Sequence, residues 1–310
     1  MSGPWVLRRL AGVIPTLLLT WTIVFFVLQA IPGDPVMLML AGTPASEESI
    51  QAERVRLGLD RPVLEQYATF IGRMATGDLG TSFRTREPVL SMIADQMGYS
   101  LSLALGGLLV GVVLGTVLGV AAGLFANTWT DTGAMFAALI GLSLPSFWIG
   151  MLLIHVFGVM LEWVPILGEG FDALILPSIS VGLFLAGGQA RLVRSSIIEA
   201  MGQDYIRTAR AKGVSPLKVV ARHAMRNALI PPITLLGIQF AVLIGGAVVT
   251  ERVFARPGLG AMLVESVLTK DLPVVQGVVA YTTAGYILVN LAVDLLYGVI
   301  DPRIRQARAA

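Results

Sequence analysis

Six stretches of this 310-residue chain are long and apolar enough to cross a lipid bilayer, and they constrain the fold more than any other feature. They lie at about residues 10–31, 99–125, 134–160, 173–198, 229–250 and 276–299, and a spanning helix needs roughly 20 apolar residues. The mean hydropathy of +0.78 and the charged fraction of 14% are typical of an integral membrane protein. We therefore predict an all-α integral membrane protein with six transmembrane helices, the first of them a retained anchor.

The distribution of lysine and arginine residues predicts the orientation of these helices. Thirteen of them lie at the two chain ends and in the 191–226 region, whereas only Arg252, Arg256 and Lys270 lie between the fifth and sixth spans. Since basic residues accumulate in cytoplasmic segments, we expect both termini and the 204–226 segment to be cytoplasmic. The long 33–98 segment is then an extracytoplasmic insertion within a single transmembrane domain that covers residues 1–310.

The 33–98 insertion is predicted to be mostly helical. Thr43-Pro44 and Arg61-Pro62 are typical helix starts, and Gly58 and Gly77 are typical helix ends. Apolar residues recur at helical spacing in the second helix, at Leu64, Tyr67, Phe70 and Ile71, so one face of that helix should pack against other elements. A structural cap and a docking surface for an extracytoplasmic partner are both compatible with this pattern.

The cytoplasmic segment 204–226 indicates two short helices that meet at a glycine. Asp204 is a predicted N-cap for a helix over about Tyr205 to Lys212, and Gly213 suits the left-handed position that follows a helix end. Ser215 and Pro216 would start the second helix. A helix this short is not stable alone in water, so we expect a docking partner.

Glycine recurs at every fourth position of the second span, which predicts close packing against another helix or subunit. The glycines are Gly107, Gly111, Gly115, Gly119 and Gly123. Pro145 should bend the third span because it removes a helical hydrogen bond. Four polar side chains within spans are candidates for the lining of a polar passage or for structural hydrogen bonds: Gln189, Gln239, Asn290 and Asp294.

Several kinds of chemistry have no support in the sequence. The chain has no cysteine, which excludes disulfides and thiolate ligands, and none of its three lysines follows a glycine, which excludes a Walker A phosphate loop. The zinc-protease pattern HExxH and the hydrolase pattern GxSxG are also absent. We predict no catalytic residues, no metal site and no cofactor in this chain, so it is not expected to be an enzyme.

Seven motifs in order give the chain a resemblance to a known family. They are AIPGDP at 30–35, GDLGTSF at 77–83, LPSFWIG at 144–150, DYIRTARAKG at 204–213, RHAMRNALIP at 222–231, ERVFARPGLG at 251–260 and NLAVDLLYGVIDPRIR at 290–305. Together they resemble the permease subunits of binding-protein-dependent ABC importers, in the dipeptide/oligopeptide/nickel group of the DppB and OppB type. The resemblance covers essentially the whole chain and implies a type I importer-like permease in a bacterial inner membrane.

The resemblance implies a role for the 204–226 segment as the loop that couples the permease to ATPase subunits, the family's EAA loop. The coupling residues would be Tyr205, Arg207, Thr208, Ala209, Arg210, Ala211, Lys212 and Gly213. Arg207 and Thr208 depart from the Glu-Ala-Ala consensus, in the form that the peptide group commonly has. The small residues would let the helix lie close in a partner's groove, and the basic residues would pair with acids there.

The resemblance also implies the partners of the chain. They are a second homologous permease subunit, two cytoplasmic ATPase subunits that bind ATP and Mg²⁺, an extracytoplasmic solute-binding protein, and membrane lipid. The binding protein would engage the insertion and a loop that includes Phe254, Pro257, Gly258 and Gly260. The implied function is import of dipeptides or short oligopeptides by alternating access.

Other functions remain open at this point. The basic 204–226 segment would also hold anionic lipid, although lipid contact does not explain the break at Gly213. An ion-coupled transporter or channel would need several ionisable groups at membrane depth, and Asp294 is the only clear acidic candidate within a span. A membrane scaffold, or import of nickel or another small solute by the same ABC mechanism, are further alternatives.

Overall fold

Helices make up most of the chain in a computed structural model, which describes residues 3–30, 32–40, 46–166, 168 and 170–300. Within these ranges it describes every side chain except those of residues 3–11, 38, 234, 241, 244–246 and 294–300. The described ranges contain one isolated β-bridge, between Thr81 and Pro88, and no strand. The predicted all-α class is therefore confirmed.

The helices follow one another in a simple order along the chain. They are α1 (Gly3–Ala30), α2 (Pro35–Met39), α3 (Glu47–Leu57), α4 (Val63–Thr76), α5 (Val89–Leu124), α6 (Trp129–Ser143), α7 (Ser146–Leu153), α8 (Phe171–Met201), α9 (Asp204–Ala211), α10 (Pro216–Lys218), α11 (Met225–Ala228), α12 (Ile230–Gly246), α13 (Val248–Val253), α14 (Leu259–Leu268) and α15 (Leu272–Ile300). Two π-helical segments, Ile154–Met160 and Val219–Ala224, follow α7 and α10.

Four helices are long and apolar enough to cross a membrane by length and composition, over Gly12–Ala30, Val89–Leu124, Phe171–Met201 and Leu272–Val293. A fifth span exists if the bent pair Trp129–Ser143 and Ser146–Met160 counts as one. The predicted fifth span, at about 229–250, corresponds to α12, which has 17 residues, and to the short α13. Within the described residues the structure thus supports four or five of the six predicted spans.

The bend predicted at Pro145 is present, and it is a break between two helices rather than a kink. The axes of the two segments differ by 100°. Leu144 has extended backbone angles, with φ of −88° and ψ of 133°, because the ring of a following proline disfavours the helical conformation. Pro145 then precedes α7 at the N-cap position, and its carbonyl accepts from the N–H of Trp148 at 3.0 Å.

The chain divides into two compact units, residues 1–98 with 257–288 and residues 99–256 with 289–310. In the first unit, one face of α4 packs on α1. Phe70 is buried against Phe25, with ring centroids 5.5 Å apart, and the Tyr67 hydroxyl lies 2.8 Å from Thr22 Oγ1. The predicted packing face is therefore present except at Leu64, which is 73% exposed.

The ends of α3 and α4 follow the sequence prediction closely. Gly58 and Gly77 end these helices with φ of 70° and 77°. The predicted start at Arg61-Pro62 is confirmed, since Pro62 is the N-cap of α4. The predicted start at Thr43-Pro44 lies outside the described residues, and α3 begins instead at Glu47, where Ser46 Oγ accepts from the N–H of Ser49 at 3.2 Å.

In the second unit, α8 is the helix against which the others pack. Its apolar residues Val181 and Leu185 form a buried cluster with Leu103 of α5 and Leu243 of α12. At the other end of α8, Val193 and Ile197 form a separate buried cluster with residues of the 204–226 segment. Because α8 takes part in both clusters, it links the interior of this unit to the predicted coupling segment.

Candidate coupling site

The helix α9 ends in a Schellman motif centred on Gly213. Gly213 has φ of 75°, the left-handed conformation predicted from the sequence. Its N–H donates to the carbonyl of Arg210 at 2.9 Å, and the N–H of Val214 donates to the carbonyl of Ala209 at 3.2 Å. These two bonds satisfy carbonyls at the end of the helix, and Val214 packs on the neighbouring apolar cluster. The direction in which the chain leaves α9 is thereby fixed.

The start of α9 differs from the prediction. Gln203, not Asp204, is the N-cap residue, and no side chain caps the free N–H groups there. Asp204 lies in the first turn, where its negative charge stabilises the helix by its interaction with the helix dipole. Ser215 is at the predicted N-cap position before Pro216, but its side chain makes no capping hydrogen bond.

Two residues of α9 face inward. Ile206 is completely buried and Ala209 is nearly so. The prediction that Ala209 would lie in a partner's groove is therefore wrong for this residue, because it packs against the chain's own core three residues after Ile206, on the same helix face. The other predicted coupling residues have exposed side chains: Tyr205, Arg207, Thr208, Arg210, Ala211 and Lys212.

The exposed face of α9 is basic, and the ion pair within the helix contributes little to its stability. Arg207 Nη1 lies 3.6 Å from Asp204 Oδ1, and both side chains are more than three-quarters exposed, so this ion pair adds little stability. The Tyr205 hydroxyl accepts from Asn227 Nδ2 at 3.0 Å, which ties the helix to α11. Arg210 and Lys212 extend the positive charge along the same surface.

A buried apolar cluster, here called the coupling core, anchors α9 to α8. Its buried members are Val193, Ile197, Ala200, Ile206, Ala209, Val219, Ala224 and Ala228. Val120 and Leu124 of α5 pack against it. Because only two residues, Gly202 and Gln203, separate α8 from α9, the short helix is held both by the chain and by this core.

An ion pair next to the coupling core joins α8 to the start of α6. Arg194 Nε donates to Asp131 Oδ1 and Arg194 Nη2 donates to Asp131 Oδ2, both at 2.6 Å. The N–H of Asn127 also donates to Asp131 Oδ2, at 2.9 Å. This forked arrangement is the strong form of an arginine–carboxylate contact. Sequence reasoning did not assign either residue, since they are 63 positions apart.

The five glycines of α5 lie directly against α8. A Cβ added at Gly107, Gly111, Gly115, Gly119 or Gly123 would come within 2.9 Å of α8 atoms. The contacted residues are Val181, Leu185, Gln189, Val193 and Ile197 in that order, again at intervals of four. This close approach of two helices is what the glycine spacing predicted, and it lies within one chain rather than between subunits.

The four polar candidates within spans have different surroundings. Gln189 is 1% exposed, and its Oε1 has no hydrogen-bond partner in the part of the chain that the structure describes. Gln239 Nε2 donates to the carbonyl of Leu185 at 3.4 Å. Asn290 is half-buried on α15, and the side chain of Asp294 lies outside the described residues. A role for any of them in a passage stays a prediction.

Of the four residues predicted to dock a binding protein, two are buried and two are half-buried. Phe254 is 4% exposed, and its ring lies 2.8 Å from where a Cβ on Gly150 would be, so it is a packing residue on α7. Gly258 is also buried, whereas Pro257 and Gly260 are half-buried. Phe254 and Gly258 are therefore corrected from docking candidates to interior positions.

A buried polar group near Phe254 escaped the sequence prediction. Ser100 Oγ donates to Glu251 Oε1 at 2.6 Å, and Arg256 Nη2 donates to Ser102 Oγ at 3.2 Å. The Arg256 guanidinium also lies 5.6 Å from the centroid of the Tyr99 ring. Arg256 was counted as an outside charge, but the left-handed turn at Ala255, with φ of 46°, directs the chain so that Arg256 is buried.

Comparison with known proteins agrees with this architecture. Residues 111–306 match the family described as binding-protein-dependent transport system inner membrane component, and residues 4–104 match the N-terminal model of such components. The chain is 42% identical to a putative peptide transport system permease protein of Brucella melitensis, over 98% of this chain and 99% of the relative. It is also 42% identical to the glutathione transport system permease protein GsiC of Escherichia coli O6:H1, over 97% and 98%.

A solved structure shares the fold. Inward-facing MetNI, a methionine ABC transporter, superimposes with a TM-score of 0.59 at 19% identity, over 69% of this chain and 99% of the matched chain. At this identity the likeness concerns the fold alone. Together, the matched family model over most of the chain and the relatives that match nearly its full length show that the chain belongs to the binding-protein-dependent transport system inner membrane components, the non-enzymatic permease subunits of ABC importers.

Proposed function

We propose that this chain forms half of the translocation pathway of an importer for short peptides or peptide-like solutes. The proposal rests on the names of its relatives, which are a peptide permease and a glutathione permease. Dipeptides and short oligopeptides are the preferred substrates. A second homologous permease would complete the pathway, and an extracytoplasmic binding protein would deliver the substrate.

The energy source in this proposal is ATP held by separate subunits. The sequence lacks a Gly-Lys pair and therefore a Walker A loop, so ATP and Mg²⁺ would bind to two cytoplasmic ATPase subunits. Closure of the ATPase pair would move α9, and alternating access would follow from that motion. The termini and α9 are then cytoplasmic, and the 33–98 insertion is extracytoplasmic.

One observation carries the coupling role, the way in which α9 is held. The helix shows a basic outer face to solvent while Ile206 and Ala209 bury its inner face in the coupling core. A helix of eight residues has little stability of its own, and its attachment to α8 provides the required support. A surface bound only to lipid would not need this rigid attachment to a spanning helix.

Cross-linking tests the coupling role directly, because the natural sequence contains no cysteine. A Thr208→Cys variant carrying a photoreactive maleimide should cross-link to an ATPase subunit in the assembled transporter. The matched control is Thr69→Cys, which is also exposed, on α4, and should cross-link to the binding protein or to nothing. Absence of an ATPase adduct from Thr208→Cys in an assembled, active complex would refute the proposal.

Transport assays separate the proposed importer from an ion-coupled carrier. In proteoliposomes with all partners, uptake of labelled trialanine should require both ATP and the binding protein. Uptake by this chain alone, driven by an ion gradient, would favour the carrier instead. ATP-dependent uptake of nickel or of another solute, without peptide uptake, would support the ATP-driven import mechanism and refute the assignment of peptides as substrates.

A further inference from the structure

A polar cavity lies within the first unit, at the extracytoplasmic insertion, and it has no assigned role. Its volume is about 380 Å³, near the lower end of the ~300–1,000 Å³ usual for small-molecule sites. The lining residues come from α1, the start of α2 and the residue before it, α3, the link between α3 and α4, α4 itself and the start of α15. Its polar members are Gln29, Asp34, Gln51, Arg54, Asp60 and Gln66, and Leu59 and Leu272 are among its apolar ones.

Some of the charged groups in this cavity are already paired with each other, and others are not. Arg54 Nε and Nη2 both donate to Asp34 Oδ2, the former at 3.1 Å, so this pair ties α3 to the residue that precedes α2. Arg54 Nη1 makes no hydrogen bond within the described residues and can still donate. Asp60 forms no hydrogen bond or ion pair with the residues that the structure describes. The cavity therefore has one carboxylate in excess, which favours a ligand that carries an ammonium group.

The glutamine side chains add uncharged hydrogen-bonding groups between these charges. Gln66 Nε2 donates to the carbonyl of Arg61 at 2.8 Å, and Gln29 Nε2 donates to Gln66 Oε1 at 3.0 Å. These bonds hold the two amides in place at the wall of the cavity. Gln51 on α3 presents a third amide. Amide groups fixed in this way can pair with the N–H and C=O groups of a peptide main chain.

We propose that this cavity binds the main chain and the charged termini of a short peptide, with the terminal ammonium at Asp60 and the carboxylate toward Arg54. The choice of a peptide as ligand rests on the proposed function, whereas the excess carboxylate and the remaining Arg54 donor by themselves favour a small ligand that carries both charges. The cavity would act as a receiving site on the permease, outside the membrane. Its few apolar residues predict weak dependence on side-chain identity.

Equilibrium binding tests the proposal with the complete transporter, permeases and ATPases together, in the absence of the binding protein. The probe is radiolabelled trialanine, compared with N-acetyl-trialanine and trialanine amide. The variants are Asp60→Asn, with Glu65→Gln as an exposed control on α4, and Arg54→Gln, with Arg73→Gln as its control. Arg73 pairs with Asp78 at 3.0 Å in the same unit but does not line the cavity.

The expected result is saturable binding of trialanine to the natural complex. Asp60→Asn should weaken it at least tenfold, and N-acetylation should weaken it more than amidation because of the excess carboxylate. N-acetylation should have little further effect in Asp60→Asn, which a merely structural role of Asp60 would not produce. The control variants should bind as the natural complex does.

Two outcomes would overturn the proposal: no saturable binding, or equal loss in the cavity variants and in their controls. If the natural complex imports trialanine with its binding protein but binds none without it, only the cavity assignment fails. If Asp60-dependent binding is found in a coupled complex that imports no peptide, the cavity assignment stands and the proposed transport substrate fails.

Discussion

Replacement of Gly213 is the sharpest test of how α9 is held. Gly213 has φ of 75°, and no atom lies within 4 Å of the position that a Cβ would take there. A side chain at this position therefore meets open space, and its cost comes from the backbone conformation alone. Among variants with different residues at position 213, any loss of function should therefore depend on how readily the new residue adopts a left-handed backbone conformation, and not on the size of its side chain.

The structure sets the order and the magnitude of the effect. A left-handed backbone costs a residue with a Cβ about 1–2 kcal/mol, and asparagine tolerates it better than β-branched residues do. We expect Gly213→Asn to be mild, Gly213→Ala to lose about 1 kcal/mol and Gly213→Val to lose the most. A loss of 1–2 kcal/mol lowers the ratio of ordered to disordered molecules at this helix end by roughly 5- to 30-fold. The share of molecules in which Val214 has left the coupling core would rise accordingly.

Gly77 provides a matched control for this series. It has φ of 77°, forms the same pair of hydrogen bonds at the end of α4, and has open space around its Cβ position. Gly77→Val should therefore cost a similar amount of local stability, but in the insertion instead of at α9. Reconstituted transporters would be compared for trialanine uptake and for ATPase stimulation by the loaded binding protein.

We expect Gly213→Val to uncouple ATP hydrolysis from uptake or to block assembly, whereas Gly77→Val should retain normal basal ATPase activity and assembly with the ATPases. Normal uptake and normal stimulation in Gly213→Val would refute the coupling assignment. A Gly213→Asn variant as defective as Gly213→Val would contradict the conformational explanation and indicate a contact with a partner instead.

Three further predictions concern stability, measured as thermal unfolding of the detergent-purified protein. Gly115→Ala should cost about 1–3 kcal/mol by overpacking, because its Cβ would lie 2.6 Å from Gln189 Cβ, whereas Gly98→Ala in the same helix meets no atom within 4 Å and should be neutral or stabilising. Ile206→Ala should cost about 2–5 kcal/mol, and Leu217→Ala, at a side chain 80% exposed, should change stability little. Ala255→Gly should stabilise by up to about 1 kcal/mol, since it relieves the left-handed strain at φ of 46°. Equal melting temperatures for Gly115→Ala and Gly98→Ala, or for Ile206→Ala and Leu217→Ala, would contradict the packing explanations. A lower melting temperature for Ala255→Gly than for the natural protein would contradict the strain explanation.

Local signals in the sequence predicted the local structure well. The helix ends at Gly58, Gly77 and Gly213 follow from the conformational freedom of glycine, and the break at Pro145 follows from the geometry of proline. The bend angle of 100° could not be predicted from the sequence. A proline permits a range of angles, and the packing of α6 and α7 against α8 selects one of them. The start of α3 at Ser46 was missed, although a serine before two glutamates is an N-cap pattern.

Long-range contacts account for most of what the sequence did not reveal. The partners Asp131 and Arg194 are 63 positions apart, and Ser100 and Glu251 are 151 apart, so no spacing rule joins them. The burial of Phe254 and Ala209 was not predicted either. Both residues belong to recognised motifs, but a motif does not show which face of a helix or loop is covered by distant parts of the chain. The exposed Leu217 beside the basic helix was likewise not singled out, since a single leucine carries no periodic signal.

Two residues of α8 show why the coupling helix and the spans are expected to move together. Val193 and Ile197 belong to the coupling core, and the same side chains lie against Gly119 and Gly123 of α5. Because protein interiors are close-packed and have low compressibility, we expect a displacement of Ile206 to be transmitted to its neighbours. It would move Val193 and Ile197, and with them the contact between α8 and the glycine face of α5. Under the proposed coupling role, the glycines, which were predicted only as packing positions, are where a displacement of α9 that has reached α8 would pass on to α5.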